Sequence, residues 1–319
     1  MSAILRRRAA TGICRILTAM TCIATLWIGA TACLADNLPI LVYPCPKPES
    51  PPAIDGKLDD ACWRAAPAVD TFTNFGQAAL APVQTFLRAA YDDESLYLAI
   101  TCNEPTPRRI SPTAFARDAL ELFRSEAVEI FLDPGHTHSA YCQFGVSPAG
   151  ALYDMSSNSG EPWDSRAVLA TAVGDQAWYV EIAIPWRGLG VTPQRGQVHG
   201  LNVCRDRYFG TGQPWSSWSR VTNTFHDPPR FGHLVLAPTA EMMAAMTTEF
   251  RKGGRTGPLV VASAEGLGDA SYRAMLQTEI GQLDARLTEL RALAQKEQDG
   301  TIRRALTERI DQFAAEEDK

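Results

Sequence analysis

Five histidines and eight cysteines in 319 residues, with no C-x-x-C pair among them, leave little material for a zinc ribbon, a thioredoxin-like site or a disulfide-dense scaffold. The strong catalytic patterns are missing too. There is no H-E-x-x-H, no G-x-S-x-G, no Gly-rich phosphate loop carrying a Lys and no regular dinucleotide fingerprint. The run Gly145-Val146-Ser147-Pro148-Ala149-Gly150 places its second Gly one residue too late for a nucleophile elbow and reads as a strand end and turn. What is present is globular material: 45% hydrophobic and 21% charged residues, enough to bury a core, in a length that suits one to two domains.

One long uncharged run occurs, from Ile16 to Ala35, preceded by Arg6, Arg7, Arg8 and Arg15 and ending in small residues just before Asp36. Basic start, apolar middle and small-residue end are the order of a secretory signal, with cleavage expected after Ala35. An uncleaved anchor and a lipoprotein acylated at Cys33 stay open as alternatives. Without residues 1–35 the chain keeps 26 basic against 36 acidic residues, a net charge of −10. Nucleic acid is thereby disfavoured as a partner, since phosphate binding needs a clustered basic surface. A secreted or periplasmic, envelope-held protein with no membrane span in the mature chain is expected. Cys45, Cys62, Cys102, Cys142 and Cys204 are then five in number, so at least one stays unpaired or all five serve as small buried apolar side chains.

Residues 36–52 are Pro-rich and read as an extended lead-in. From Ala53 to about Pro238 short apolar or alternating runs recur: Val83–Tyr91, Leu96–Cys102, Ala127–Leu132, Ala140–Val146, Ala167–Val173, Trp178–Ile184, Val198–Arg205 and Gly232–Leu236. Turn signals such as Asp92-Asp93-Glu94-Ser95 and Asp133-Pro134-Gly135 separate them. The fold class expected is all-β, an antiparallel sandwich of jelly-roll or immunoglobulin-like type over 53–238. Residues 239–319 form a helical extension. Thr239 is a candidate N-cap; Leu283, Leu287, Leu290 and Ala294 share a helical face; Asp299-Gly300 stops that helix, and Thr301 caps the next. A helical hairpin on the same chain and a coiled coil that makes a homo-oligomer both fit this pattern.

Among polar residues, His136 and His138 follow a turn and read as solvated. Glu126, Glu129 and Asp133 could supply carboxylates for glycoside hydrolysis, but on a strand Glu129 and Asp133 share a face that Glu126 does not. No acid/base pair follows.

Six phrases in order carry a resemblance: Ile54-Asp55-Gly56-Lys57-Leu58-Asp59-Asp60-Ala61-Cys62-Trp63, Ala89-Ala90-Tyr91-Asp92-Asp93-Glu94-Ser95-Leu96-Tyr97-Leu98-Ala99-Ile100, Glu126-Ala127-Val128-Glu129-Ile130-Phe131-Leu132-Asp133, Glu181-Ile182-Ala183-Ile184-Pro185-Trp186, Gly200-Leu201-Asn202-Val203 and Arg230-Phe231-Gly232-His233-Leu234. The chain over about 53–238 resembles the family 9 carbohydrate-binding modules and their DOMON-like β-sandwich relatives. Most of these residues are expected to hold the scaffold, with Trp63, Leu96, Tyr97, Ile130 and Trp186 as core anchors. The resemblance implies a non-catalytic module whose slot is made by two aromatic rings, a carboxylate, an amide and an Arg. Carried over, the rings fall on Phe123 and Phe225, both Trp in the family's stronger sugar binders, the carboxylate on Glu129 and the amide on Gln143. The Arg position is Gly145, and the Asn two further on is Ser147. The expected carbohydrate-binding set is therefore Phe123, Glu129, Gln143, Ser147 and Phe225, with Trp163, Trp215, Trp218 and His226 as further contacts. Sugar C–H faces stack on rings while planar polar groups read adjacent hydroxyls. The partner implied is a free glycan end or a small saccharide, in the service of polysaccharide catabolism. The alternative is a structural or protein-interaction module with a degenerate slot, assembled through its C-terminal helices. No cofactor is expected; a structural calcium on loop carboxylates stays open, and no motif places the Met/His pair that a haem-binding relative would need.

Overall fold

A computed structural model of the chain describes residues 38–110, 113–159, 162–208, 214–263 and 285–317. The expected signal at 1–35 lies outside the described residues, as does Leu283 of the expected helical face.

Two sheets face each other. The smaller contains β3 (Thr85–Tyr91), β4 (Ser95–Asn103), β8 (Val168–Val173) and β9 (Ala177–Pro185), in the order β3-β4-β9-β8, all antiparallel. The larger contains β1 (Ile40–Cys45), β2 (Thr73–Asn74), β5 (Ala127–Asp133), β6 (Cys142–Val146), β7 (Leu152–Ser156), β10 (Val198–Asp206), β11 (Trp215–Ser217), β12 (Gly232–Leu236) and β13 (Leu259–Val261). Its path is β13-β1-β12-β10-β5-β6-β7, with β11 pairing on β10 and β2. Two facing sheets, as read from strand periodicity, make up 38–263, but the expected all-antiparallel pairing is corrected: β1 runs parallel to both β12 and β13, because the lead-in and the stretch after Leu236 each contribute a strand to the larger sheet.

Alternation decides what each strand buries. Along β5, Val128, Ile130 and Leu132 enter the main core between the sheets, where they meet Leu98, Ile100, Trp178, Val180, Leu201 and Val203. Glu129, Phe131 and Asp133 face the other way, and they too are buried, because loops fold back over that outer face. Glu126 takes the inner side, 3.9 Å from the Arg205 guanidinium. The turn signals work as read: Asp92 Oδ1 accepts the N–H groups of Glu94 and Ser95, both at 2.8 Å, and reverses the chain between β3 and β4.

The lead-in is more than a lead-in. Ile40 to Tyr43 is an apolar, β-prone run, and β1 lies buried between β12 and β13, parallel to both. Its prolines are tolerated because Pro39 precedes the strand and Pro44 stands near its end. Likewise β13 falls inside the stretch expected to be helical. After Leu236, Thr239 does cap a short helix, its hydroxyl accepting from Met242 N at 3.2 Å. Helices occupy 285–295 and Gly300–Glu317, linked by an Arg291–Asp311 ion pair at 3.1 Å. The second starts one residue before the expected cap: Asp299 Oδ1 accepts from Thr301 N and Ile302 N, so Asp299 and not Thr301 does the capping. Cys45, Cys62, Cys102, Cys142 and Cys204 are all buried and unpaired.

The family-like phrases meet one another in space. Glu181 on β9 is fully buried beneath the first phrase. Its Oε1 accepts from Trp63 Nε1 at 2.8 Å, and its Oε2 from Gly56 N at 2.8 Å and Asp55 N at 3.1 Å. Gly56 turns there with φ +84, a conformation a side chain would strain. Trp63, Leu96, Tyr97, Ile130 and Trp186 are buried as anchors.

Candidate functional site

The ladder of the larger sheet places the slot residues. On its outer face Glu129 stands opposite Gly145 on one side and Cys204 on the other, while Phe131 stands opposite Gln143 and Asn202. Directly opposed residues share a face, so Glu129, Gln143, Gly145 and Phe131 lie together. Beyond β6, Tyr153 opposes Gly145 and Met155 opposes Gln143. Across β10, Asp206 lies diagonal to Glu129 and opposite Trp215 of β11.

The floor is polar and closed in. Glu129 is 6%, Gln143 4% and Asp206 2% exposed. Gln143 Nε2 donates to Glu129 Oε2 at 2.6 Å. Burial pushes the Glu129 carboxyl up to about 7, against the hydrogen bonds from Gln143 and Asp206. Asp206 is pushed well above the usual carboxylate range by burial and then by the Glu129 charge. No Lys or Arg pairs with either among the described residues; Arg205, on the opposite face, is engaged near Glu104 and Glu126.

Two aromatic groups flank this floor. Phe123 lies over Gly145: a Cβ there would sit 2.8 Å from Phe123 Cε1, and 3.2 Å from Leu122 Cδ2. Gly145, to which the resemblance assigned the Arg position, thus has no room for a side chain, because the Phe123 ring occupies that space. Phe123 also meets Tyr153 edge to face, with centroids 4.9 Å apart. On the other flank Phe225 packs edge to face on Phe75 at 5.2 Å and tilted on Phe131 at 6.4 Å, in a satellite cluster with Cys204, Val221, Phe231 and Tyr141. Phe225 itself is nearly covered, so in this conformation most of its face is spent on packing.

Other expected contacts are relocated. Trp218 is fully buried in the main core, edge-on to Tyr43 at 6.5 Å, and cannot touch a ligand without unfolding the sandwich; its assignment as a contact is corrected. Trp163 packs against Phe144 and the main core, not with the Phe131 cluster. Ser147 is buried in the turn that closes β6 and β7, its Oγ accepting from Ala151 N at 3.1 Å. His226 is exposed, with Nδ1 2.8 Å from the Tyr141 hydroxyl and its ring 5.1 Å from Phe131, at the edge of the aromatic flank.

His136 is also corrected. Far from being solvated, it is buried, with Nδ1 2.7 Å from Glu249 Oε1 and Nε2 2.8 Å from His233 Nδ1. His138 lies beside it, ring centroids 4.4 Å apart. The turn looked polar in sequence, but the segment Thr247–Phe250 folds over it and supplies the partner. Even so, no three His, Cys, Asp or Glu side chains are arranged to hold a metal ion among the described residues.

Three residues of the site went unnoticed in the sequence: Asp206, Tyr153 and Tyr208. Tyr208 leaves β10 with 42% of its surface exposed, and its hydroxyl donates to the Phe123 carbonyl at 2.9 Å. Its signal was its place two residues after Asp206 on a strand whose outer face already carried Asn202. Trp215, also half exposed at 37%, sits edge to face on Phe75 at 5.8 Å.

No curated protein matches the chain. Among solved structures it is similar to a family 9 carbohydrate-binding module from Caldicellulosiruptor kristjanssonii in complex with cellotriose, at 16% identity and a TM-score of 0.47, covering 64% of this chain and 95% of that one. The same organism's module in complex with glucose is similar at 17% identity and a TM-score of 0.45, covering 64% and 97%. The family profile described as "Carbohydrate family 9 binding domain-like" matches residues 54–239, more than half of the chain. On that match, over a sandwich whose outer face presents an acid and an amide between aromatic flanks, the chain belongs to the carbohydrate family 9 binding domain-like proteins, a family of non-catalytic modules.

Proposed function

We propose that the sandwich binds a small saccharide or a free glycan end, without catalysis, on the outer face of the larger sheet. The observation that carries this reading is the Gln143–Glu129 hydrogen bond, held on a floor flanked by Phe123 on one side and Phe225 on the other. An acid and an amide so placed can bridge neighbouring hydroxyls, while Phe123, Tyr208 and Trp215 offer ring surface at the rim. Phe225 would give stacking area once its loop eases outward. The protein would act outside the cytoplasm after loss of residues 1–35, in the capture of polysaccharide.

Calorimetric titration with a saccharide panel that includes glucose and cellotriose tests the reading. Saturable heat with at least one member is expected, and Phe225→Ala should abolish it. Silence across the panel would sink the proposal. A second role, self-assembly through the C-terminal helices, is favoured by Leu290 and Leu293, which both stay exposed on the helix at 285–295. Mass in solution after deletion of 265–319 tests it; an unchanged monomer counts against it.

A further inference from the structure

Asp206 has no counterpart in the expected binding set, yet it is more deeply buried than Glu129. Its side chain shares the outer face with Glu129, as a diagonal neighbour across the β5–β10 ladder. Its Oδ2 is buried and makes no hydrogen bond among the described residues. Two carboxylates cannot meet in this way unless one of them keeps a proton, because both would be acceptors and both would carry charge in a poorly solvated place.

Among the described residues the surroundings offer no other neutralisation. From β6 comes the neutral amide of Gln143, from β7 the Tyr153 hydroxyl, and from β11 the indole of Trp215. Cys204 lies on the same face of β10, and burial, then the charges of Glu129 and Asp206, push its thiol up so that it stays protonated. Tyr208 spends its hydroxyl on the Phe123 carbonyl. Glu126 adds negative charge near Asp206. The cations close by in sequence, Arg205 and Arg207, are held at Glu104, with Arg207 Nε 2.8 Å from Glu104 Oε2.

We infer that Asp206 is a specificity-determining residue of the slot: it shares one proton with Glu129, so that the floor presents a donor beside its acceptors and takes neutral saccharides in preference to carboxylate-bearing ones. A shared proton lets the pair both give to and receive from adjacent hydroxyls, as a lone carboxylate cannot. The remaining negative charge, with no cation beside it, repels an anionic sugar. Loss of the proton on alkalisation leaves two charges and removes the pair's donor, and the slot then weakens.

This inference rests on the carbohydrate-binding reading for its ligand but not for its proton, and the experiment separates the two. In the ligand-free protein, carbon-13 NMR of the Glu129 and Asp206 carboxyl carbons should show titration above the ordinary carboxylate range. In Asp206→Asn the Glu129 carbon should titrate at lower pH. Both carbons fully ionised by about pH 5.5 would overturn the shared proton, whatever the sugar result. In titrations with glucose, wild-type affinity should fall roughly tenfold from about pH 6 to about pH 9, whereas Asp206→Asn, whose amide is a permanent donor, should vary by less than about threefold. Asp206→Ala should lose roughly tenfold at both ends of that range. Glucuronate should bind at least roughly tenfold more weakly than glucose near neutral pH; equal binding of the two sugars, or a parallel alkaline fall in Asp206→Asn, would overturn the specificity role.

Discussion

Two buried polar clusters occupy the same face of the same sheet, one near each end of β5, and they are finished differently. At the far end His233 Nε2 donates to the Phe250 carbonyl at 3.1 Å, leaving its Nδ1 to accept from His136, whose other nitrogen faces Glu249. Burial pushes His233 down to about 2, so it stays neutral. Asp133 beside them accepts from His138 N at 2.7 Å and from the Thr137 hydroxyl. These contacts fasten loops to the sandwich. At the near end Glu129 and Asp206 have one amide between them and no cation among the described residues; Asp206 Oδ2 makes no hydrogen bond there, and neither does His138 Nε2 at the far end. The ends differ in their surroundings: the unpartnered Asp206 oxygen belongs to a floor of acid and amide between Phe123 and Phe225, where a ligand is the economical partner.

The comparison breaks most decisively at His233. His233→Ala should destabilise the fold by about 3 kcal/mol, since it empties a fully buried site and strands both the Phe250 carbonyl and His136. Urea denaturation measures this. Saccharide affinity of the folded fraction should change less than about twofold, and a large loss of binding would mean that the two ends are not separate.

Gly145→Val tests the near end. The added side chain must displace Phe123, costing about 2 kcal/mol and weakening saccharide binding by roughly tenfold. Unimpaired binding would remove Phe123 from the slot.

A smaller effect lies in pH. Glu129 is raised from its ordinary value to about 7 and Asp206 is raised as well, so between about pH 4 and about pH 7 the folded protein holds protons that the unfolded chain has released. Stability from the pair is therefore present at acid pH and lost as pH rises through the folded value. Asp206→Asn should flatten that limb of the melting profile while His233→Ala leaves its slope in place. Smallest is Glu249→Gln, which keeps an acceptor for His136 but loses charge assistance, at about 1 kcal/mol.

How far the sequence reached depended on the distance over which each feature is decided. The strand β5 and its two faces were legible in Val128, Ile130 and Leu132 against Glu129 and Asp133, because alternation is local. That Glu129 and Gln143 share a face followed from the resemblance, while their hydrogen bond is seen only in the fold. The role of Glu181 did not: its three hydrogen bonds come from a segment more than a hundred residues away. Strands β1 and β13 were hidden in a Pro-rich and a Gly-rich stretch, since each is stabilised by partners remote in sequence. Trp218 and Trp215 are three residues apart and look alike on paper, yet one fills the core and the other stands at the rim.

By itself, then, the sequence determined the two-sheet sandwich and the family, both of which follow from local periodicity and ordered motifs. Only the tertiary structure decided which polar groups are satisfied. It set His136 between Glu249 and His233, packed Phe123 over Gly145, and left Asp206 near Glu129 with no cation paired to either among the described residues. The physical reason is that burial and hydrogen-bond saturation belong to neighbours across strands and loops, and those neighbours are chosen by packing and not by position along the chain.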